Sequence, residues 1–178
     1  MDREKIIELL ENVKQGTMET SDAVEQLRKL PFQDLGFAKV DHHRAIRTGH
    51  PEVVFCQGKT DEQVEKIYQS LADQHADILL TRAEASLFER LAQIDDRLRY
   101  NPLARTILLE TSERPKTGKV LIISAGTADL PVAEEAAETA QLSGAHVERI
   151  YDAGVAGIHR LHAHYATIQE ASCSVDVT

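Results

Sequence analysis

The chain has 178 residues, enough for one ordinary domain or two small ones. Apolar residues make up 42% and charged residues 28%, which puts a packed core within reach and excludes general disorder. The net charge of −9, the absence of Trp and the presence of only four Tyr and four Phe argue against a basic phosphate-gripping face and against an aromatic base-stacking platform, so no nucleic-acid partner is expected.

No apolar run approaches the ~18 residues of a membrane span. The start, Met1-Asp2-Arg3-Glu4-Lys5, lacks the apolar stretch of a secretory signal. Cys56 and Cys173 make no disulfide framework. A cytoplasmic protein with free thiols is the expectation.

Ile6, Ile7, Leu10 and Val13 fall on one face at helical spacing, with Gly16 as a stop. Asp22 and Glu25 have capping-box spacing ahead of a second stripe, Ala23, Val24, Leu27 and Leu30. A helical hairpin follows, read as a packing unit. Phe37 to Val40 suggests a short strand, and Val53 to Cys56 a buried one. Thr60 to Gln63 is a capping box opening a helix with Val64, Ile67 and Leu71 inward. Ile78–Thr81 reads as a strand, Leu87 to Ile94 as a helix and Arg105–Glu110 as a strand. The polar stretch from Thr111 to Lys119, with Pro115 and Gly118, is the expected boundary, dividing a domain at 1–111 from one at 119–178 by a linker at 112–118.

Val120 to Ile123 is a continuous apolar strand of the kind buried on both faces. Pro131 opens an alanine-rich helix ending at Gly144, and Val147 to Tyr151 is the next strand. A helix to about Ala171 and a strand at Ser174 to Val177 follow. The unit is β-loop-α-β, as in a parallel sheet, and two and a half such units leave a doubly wound sheet incomplete.

Candidate chemistry gathers at the strand ends. Ser124, Gly126, Thr127 and Asp129 lie between a strand and a helix N-terminus, where free N–H groups attract phosphate or carboxylate. Asp129 could cap the helix or take a ribose hydroxyl. The loop is either a ligand loop or a plain strand-to-helix turn. Asp152, Gly154, His159 and Arg160 follow the neighbouring strand, so both loops converge on one crevice if the sheet is parallel. His42, His43, Arg44 and Arg47 form a cationic cluster. Adjacent histidines on a strand point to opposite faces, which disfavours a shared metal. An anion contact and a solvated turn are the two readings, and no metal site is expected. The cysteines, in predicted strands with apolar surroundings, read as buried packing residues.

The run from Gly36 to Arg44, with Arg47-Thr48-Gly49 and Pro51 to Thr60, resembles the signature of the LarB family of nickel-pincer-nucleotide cofactor biosynthesis proteins. Val120 to Ala136 and Arg149 to Leu161 resemble that family's second domain, itself similar to PurE, the aminoimidazole ribonucleotide carboxylase or mutase. The resemblance implies an α/β fold: an N-terminal α/β domain preceded by the helical hairpin, then an incomplete Rossmann-like (PurE/flavodoxin-like) parallel-sheet domain. It also implies an activity, carboxylation of the pyridinium ring of nicotinic acid adenine dinucleotide with hydrolysis of its phosphoanhydride. The products are pyridinium-3,5-biscarboxylic acid mononucleotide and AMP. Carbon dioxide or bicarbonate is the co-substrate, Mg2+ the implied cation and a homo-octamer the implied assembly. The family's ring-attacking cysteine lies in the later part of the PurE-like domain, and neither Cys56 nor Cys173 matches its motif. The expectation is therefore a chain truncated at its C-terminus and inactive by itself. A PurE-type purine carboxylase and a non-catalytic nucleotide-binding module are the alternatives.

Overall fold

The computed structural model describes residues 3–28, 32–42, 44, 48, 50, 52–73, 77–111 and 115–178. Helices α1 (Arg3–Lys14) and α2 (Thr20–Arg28) form the expected hairpin. Its inward residues differ from the periodic reading. Leu9 and Ala23 are buried, whereas Ile7, Leu10 and Val24 are about half exposed. A two-helix hairpin covers only a narrow stripe of each helix, so the apolar surface of α1 is wider than the surface that covers it. The second helix also starts at Thr20, which puts Asp22 in the first turn and not at the cap.

Strands β1 (Phe32–Asp34) and β2 (Lys39–Asp41) pair as a small antiparallel ladder. β1 has no alternation to announce it, and β2 sits slightly later than the expected 37–40. The next sheet contains β3 (Glu52–Phe55), β4 (Ile78–Thr81), β5 (Arg99–Asn101) and β6 (Thr106–Leu109), in the order β3-β4-β6-β5. β3 and β4 are parallel through helix α3 (Asp61–Ala72). β6 runs antiparallel to β4, and the unanticipated β5 forms a hairpin with β6. Helix α4 (Ala85–Leu91) connects β4 to the hairpin.

The capping box of α3 is complete: the Gln63 amide donates to Thr60 Oγ1 at 3.3 Å, and the Thr60 amide donates to Gln63 Oε1 at 3.0 Å. It orients Val64, Ile67, Tyr68 and Leu71 into the main core with Ile78, Leu80, Ile107 and Leu109. At the far end of Tyr68 the phenol donates to Asp95 at 2.7 Å, while Arg97 holds the same carboxylate at 2.6 Å.

The second sheet is all parallel: β7 (Lys119–Ser124) lies between β8 (His146–Ile150) and β9 (Cys173–Val177). Helix α5 (Leu130–Leu142) covers one face through Ala133 and Ala137 on Ile122. Helices α6 (Ile158–His162) and α7 (Tyr165–Glu170) cover the other through Leu161 and Ile168, beside Leu121 and Ile150. The single expected helix is thus two short ones, broken at Ala163 and His164. Gly144, at φ +92°, ends α5 as expected and accepts the Thr117 amide. Leu142 packs on Leu79 and Leu108 of the first sheet, so α5 is shared by both sheets. The expected boundary falls between β6 and β7, and residues 112–114 lie outside the described part. No helix among the described residues is long and apolar enough to cross a membrane.

Two outcomes are expected. Thr60→Ala removes half the capping box and lowers the free energy of unfolding by about 1 kcal/mol in urea titrations. Arg97 first, with Tyr68 contributing, holds the Asp95 carboxyl well below the usual carboxylate range. That stabilisation is present above the unfolded pKa, near ~4, and is lost as pH falls through and below it. Asp95→Asn should therefore flatten the acid limb of the stability–pH curve while leaving its slope near neutrality unchanged.

Candidate functional site

β7 ends at Ser124, and the chain passes through Ala125 and Gly126 into a 3-10 turn at Thr127–Asp129 that runs directly into α5. The neighbouring loop leaves β8 through Asp152. The Ala153 amide donates to the Ser124 carbonyl at 3.0 Å, and the Gly154 amide to the Ala125 carbonyl at 3.1 Å. On the other side the Ala125 amide donates to Val177 at 3.0 Å. The parallel sheet thus joins both loops at the carboxyl ends of its strands, where ligands of α/β sheets bind. Gly154 is what lets them touch: a Cβ there would sit 2.8 Å from the Ala125 carbonyl oxygen.

Ser124 shares the face of Ile122 by the two-residue period of the strand, under the first turns leading to α5. It is 0% exposed, and its Oγ has no hydrogen-bond partner among the described residues. Asp129 corrects one alternative. It stands at the N-cap position of α5 but its side chain makes no cap bond to that helix: Oδ2 reaches back to accept the Gly126 amide at 2.9 Å and so closes the 3-10 turn. Gly126 has extended backbone, and a Cβ there would lie 3.7 Å from Asp129, in ordinary contact. Neither its dihedrals nor its surroundings require glycine. Thr127 is exposed at the mouth of the turn.

In the second loop Asp152 adopts φ +57°, and its carboxylate pairs with Arg160 at 2.5 Å. Both side chains are well exposed, so the pair is worth at most about 1 kcal/mol and Arg160 can leave it for a stronger anion. Gly157 gives the guanidinium its room: a Cβ there would lie 2.7 Å from Arg160 Nε. His159 is exposed in the first turn of α6. Beside these loops stands a network absent from the sequence reading. Glu134 of α5 accepts hydrogen bonds from the Tyr151 phenol and from Arg149. Burial, then the Glu134 carboxylate, push the Tyr151 phenol up to about 12, so its proton stays on. The three residues are scattered over two elements, and only the parallel pairing of β7 with β8 brings them together.

The cationic cluster lies elsewhere. His42 is 6% exposed in the turn after β2, with Nε2 3.5 Å from Ser70 Oγ, itself donating to Gln33 at 2.6 Å. It is an interior residue linking the first hairpin to α3, and the expectation of a ligand-facing histidine is corrected. Val40 and His42 alternate inward while Asp41 stays nearer the surface. Arg44 is 3.9 Å from Glu52 and lines a cleft of about 330 Å3 with His50, Thr139, Leu142 and Ser143. Those last residues end α5, so Arg44 lies about 20 Å, the length of the helix, from Gly126–Asp129. His43 and Arg47 fall outside the described residues.

A family model described as LarB/PurE-like N-terminal domain matches residues 32–112, the segment from β1 to the end of the four-stranded sheet. An uncharacterized protein of Methanocaldococcus jannaschii is 32% identical over 184 residues, covering 96% of this chain and 70% of that protein. The chain belongs to the LarB family. Its class is therefore that of LarB or PurE-type carboxylases.

Neither thiol of this LarB chain faces the loops. Cys56 is buried, and burial pushes its pKa up to about 12, which keeps it protonated. Cys173 is exposed, contrary to the buried strand expected, because β9 is bonded only to β7 among the described strands and presents most of its side chains outward. It pairs with Val120, whereas Val177 pairs with Ser124. Four residues of strand, about 13 Å, separate it from the loops. No group of three or more His, Cys, Asp or Glu side chains converges to hold a metal among the described residues.

The glycines give a matched test. Gly154→Ala drives a methyl into the Ala125 carbonyl and should lower stability by roughly 1–3 kcal/mol in urea. Gly126→Ala should change it by less than about 0.5 kcal/mol or raise it slightly. An equal effect at both sites would contradict the loop packing.

Proposed function

We propose that this chain binds nicotinic acid adenine dinucleotide at the paired loops and serves the LarB reaction. That reaction is carboxylation of the pyridinium ring by carbon dioxide, with hydrolysis of the phosphoanhydride to pyridinium-3,5-biscarboxylic acid mononucleotide and AMP. The observation that carries this reading is Ser124. A buried hydroxyl with no partner among the described residues costs about 1–3 kcal/mol, and here it lies where the two backbone loops meet beneath a helix N-terminus. A phosphate or ribose oxygen seated beneath the Gly126–Asp129 turn, on the α5 side of the sheet, would satisfy it.

The other groups divide the dinucleotide by charge. Asp129 already faces the Gly126 amide, so its carboxylate suits a sugar hydroxyl and repels a phosphate oxygen. Arg160, released from Asp152, forks onto phosphate, and Thr127 and His159 stand exposed to donate hydrogen bonds. A divalent cation would arrive on the pyrophosphate with its own waters, as Mg2+ commonly does, because the described residues form no cage for it. Val155, Ile158 and Tyr165 expose apolar surface beside the second loop, of the kind a second copy of the chain covers, which suits a homo-oligomer.

A pyridinium carbon is electrophilic and attacks carbon dioxide only after a nucleophile has added to the ring; a thiolate suits that step. The protonated, buried Cys56 and the distant Cys173 do not. The part that falls to residues 1–178 is binding and orienting the dinucleotide. The PurE-type alternative needs only the loop unit. The LarB reading is favoured because the first sheet is tied to the helix that carries the loop.

Calorimetric titration of residues 1–178 with nicotinic acid adenine dinucleotide tests this. Ser124→Ala should weaken binding about tenfold, the loss of one good hydrogen bond to a ligand, while leaving stability unchanged or raising it by about 1 kcal/mol. Undiminished affinity in Ser124→Ala rejects the assignment.

A further inference from the structure

Arg82 takes no part in the loops, yet its geometry is unusual in two ways. It follows the last residue of β4 at φ +54°, a left-handed conformation that arginine rarely adopts. The turn is held there from the β6 side. The Ala83 amide donates to the Arg105 carbonyl at 2.7 Å, and Tyr100 Oη donates to the Ala83 carbonyl at 3.4 Å. That conformation aims the guanidinium out of its own sheet and onto α5, where Nε lies 2.8 Å from Glu135 Oε2 as a close ion pair without hydrogen-bond geometry, both side chains being mostly covered.

Three residues of α5 face the first sheet at helical spacing: Glu135, Glu138 and Leu142. Leu142 packs on Leu79 and Leu108 at the far end. Glu138 accepts hydrogen bonds from the buried Thr106 hydroxyl and from Asn101, the latter at 2.7 Å. Glu135 is the tie nearest the loop, only six residues beyond Asp129. The turn Gly126–Asp129 is the direct extension of α5, so the axial position of the helix fixes where those amides stand above Ser124.

We propose that Arg82 is a positioning residue for the nucleotide loop: by clamping Glu135 it sets the placement of the α5 amino-terminal end, and through it the geometry of Gly126–Asp129. The first sheet then contributes to ligand affinity without touching the ligand. This rests on the reading of the loops as the dinucleotide site, but the clamp itself is measurable without any ligand.

The test is hydrogen–deuterium exchange on residues 1–178, comparing the Gly126 and Asp129 amides, bonded within the turn, with those of Leu121–Ile123 in β7. Arg82→Gln should speed exchange of the first pair about tenfold, within the range of such indirect couplings, and leave the strand amides unchanged. Arg82→Lys should restore most of the protection. The charge reversal Arg82→Glu with Glu135→Arg should restore part of it. Affinity for nicotinic acid adenine dinucleotide should fall by the same factor in Arg82→Gln. Should that variant fail to fold, Glu135→Gln breaks the same clamp from the helix side and carries the same expectation. Unchanged exchange at Gly126 and Asp129, or equal acceleration in the strand, overturns the proposal. If exchange responds in the variants as described while the wild-type chain binds no dinucleotide, the clamp stands and the assigned ligand is rejected.

Discussion

Helix α5 lies between two β-sheets, and each of its sides must satisfy a different neighbour. Ala133 and Ala137 are small because Ile122 of β7 presses directly against the helix backbone. Glu135 and Glu138 are acidic because the first sheet presents Arg82, Thr106 and Asn101 along that side. Glu134 turns toward Arg149 and Tyr151 of the β8 end. An isolated helix of this composition would expose three carboxylates, Glu134, Glu135 and Glu138, within little more than one turn. Here Glu134 and Glu138 accept hydrogen bonds from donors that would otherwise be buried or half-buried, and Glu135 stands in an ion pair with Arg82.

The loop geometry follows from that placement. A strand that ends in Ser124 beneath a helix held from both sides leaves little freedom for the turn between them, and Asp129 uses what remains by closing on the Gly126 amide. The second loop is brought against the first by Gly154, whose missing side chain admits the Ala125 carbonyl. What stays adjustable lies at the rim: an exposed Asp152–Arg160 pair, an exposed histidine and an exposed threonine. A packed floor with exposed charged groups above it is the arrangement expected where a polar ligand enters and leaves.

The cationic run near residue 44 shows how sequence proximity to a family signature misleads about place. Arg44 stands at the carboxyl end of α5 and the loop at its amino end, so the two features serve opposite ends of the same helix. His42 is interior because β2 alternates, and a residue two beyond Val40 returns to the same side.

Elements defined by local chemistry were legible in the amino-acid order. The capping box at Thr60, the strands at Ile78–Thr81 and Val120–Ile123, the glycine stop at Gly144 and the loop positions after β7 and β8 each rest on neighbours within a few residues. Elements defined by distant partners were not. β1 and β5 are three residues each and exist only because β2 and β6 supply their hydrogen bonds. The exposure of Cys173 depends on which strand lies beside β9, and the break at Ala163–His164 on how a helix bends over a sheet. The sequence by itself determined the α/β class, the family and the two loops, because hydrophobic period, caps and motifs are short-range properties. Only the tertiary structure decided that Ser124 is a buried unpaired hydroxyl, that His42 and Arg44 lie away from the loops, and that Arg82 reaches across to Glu135, because these depend on which sheet faces settle against α5.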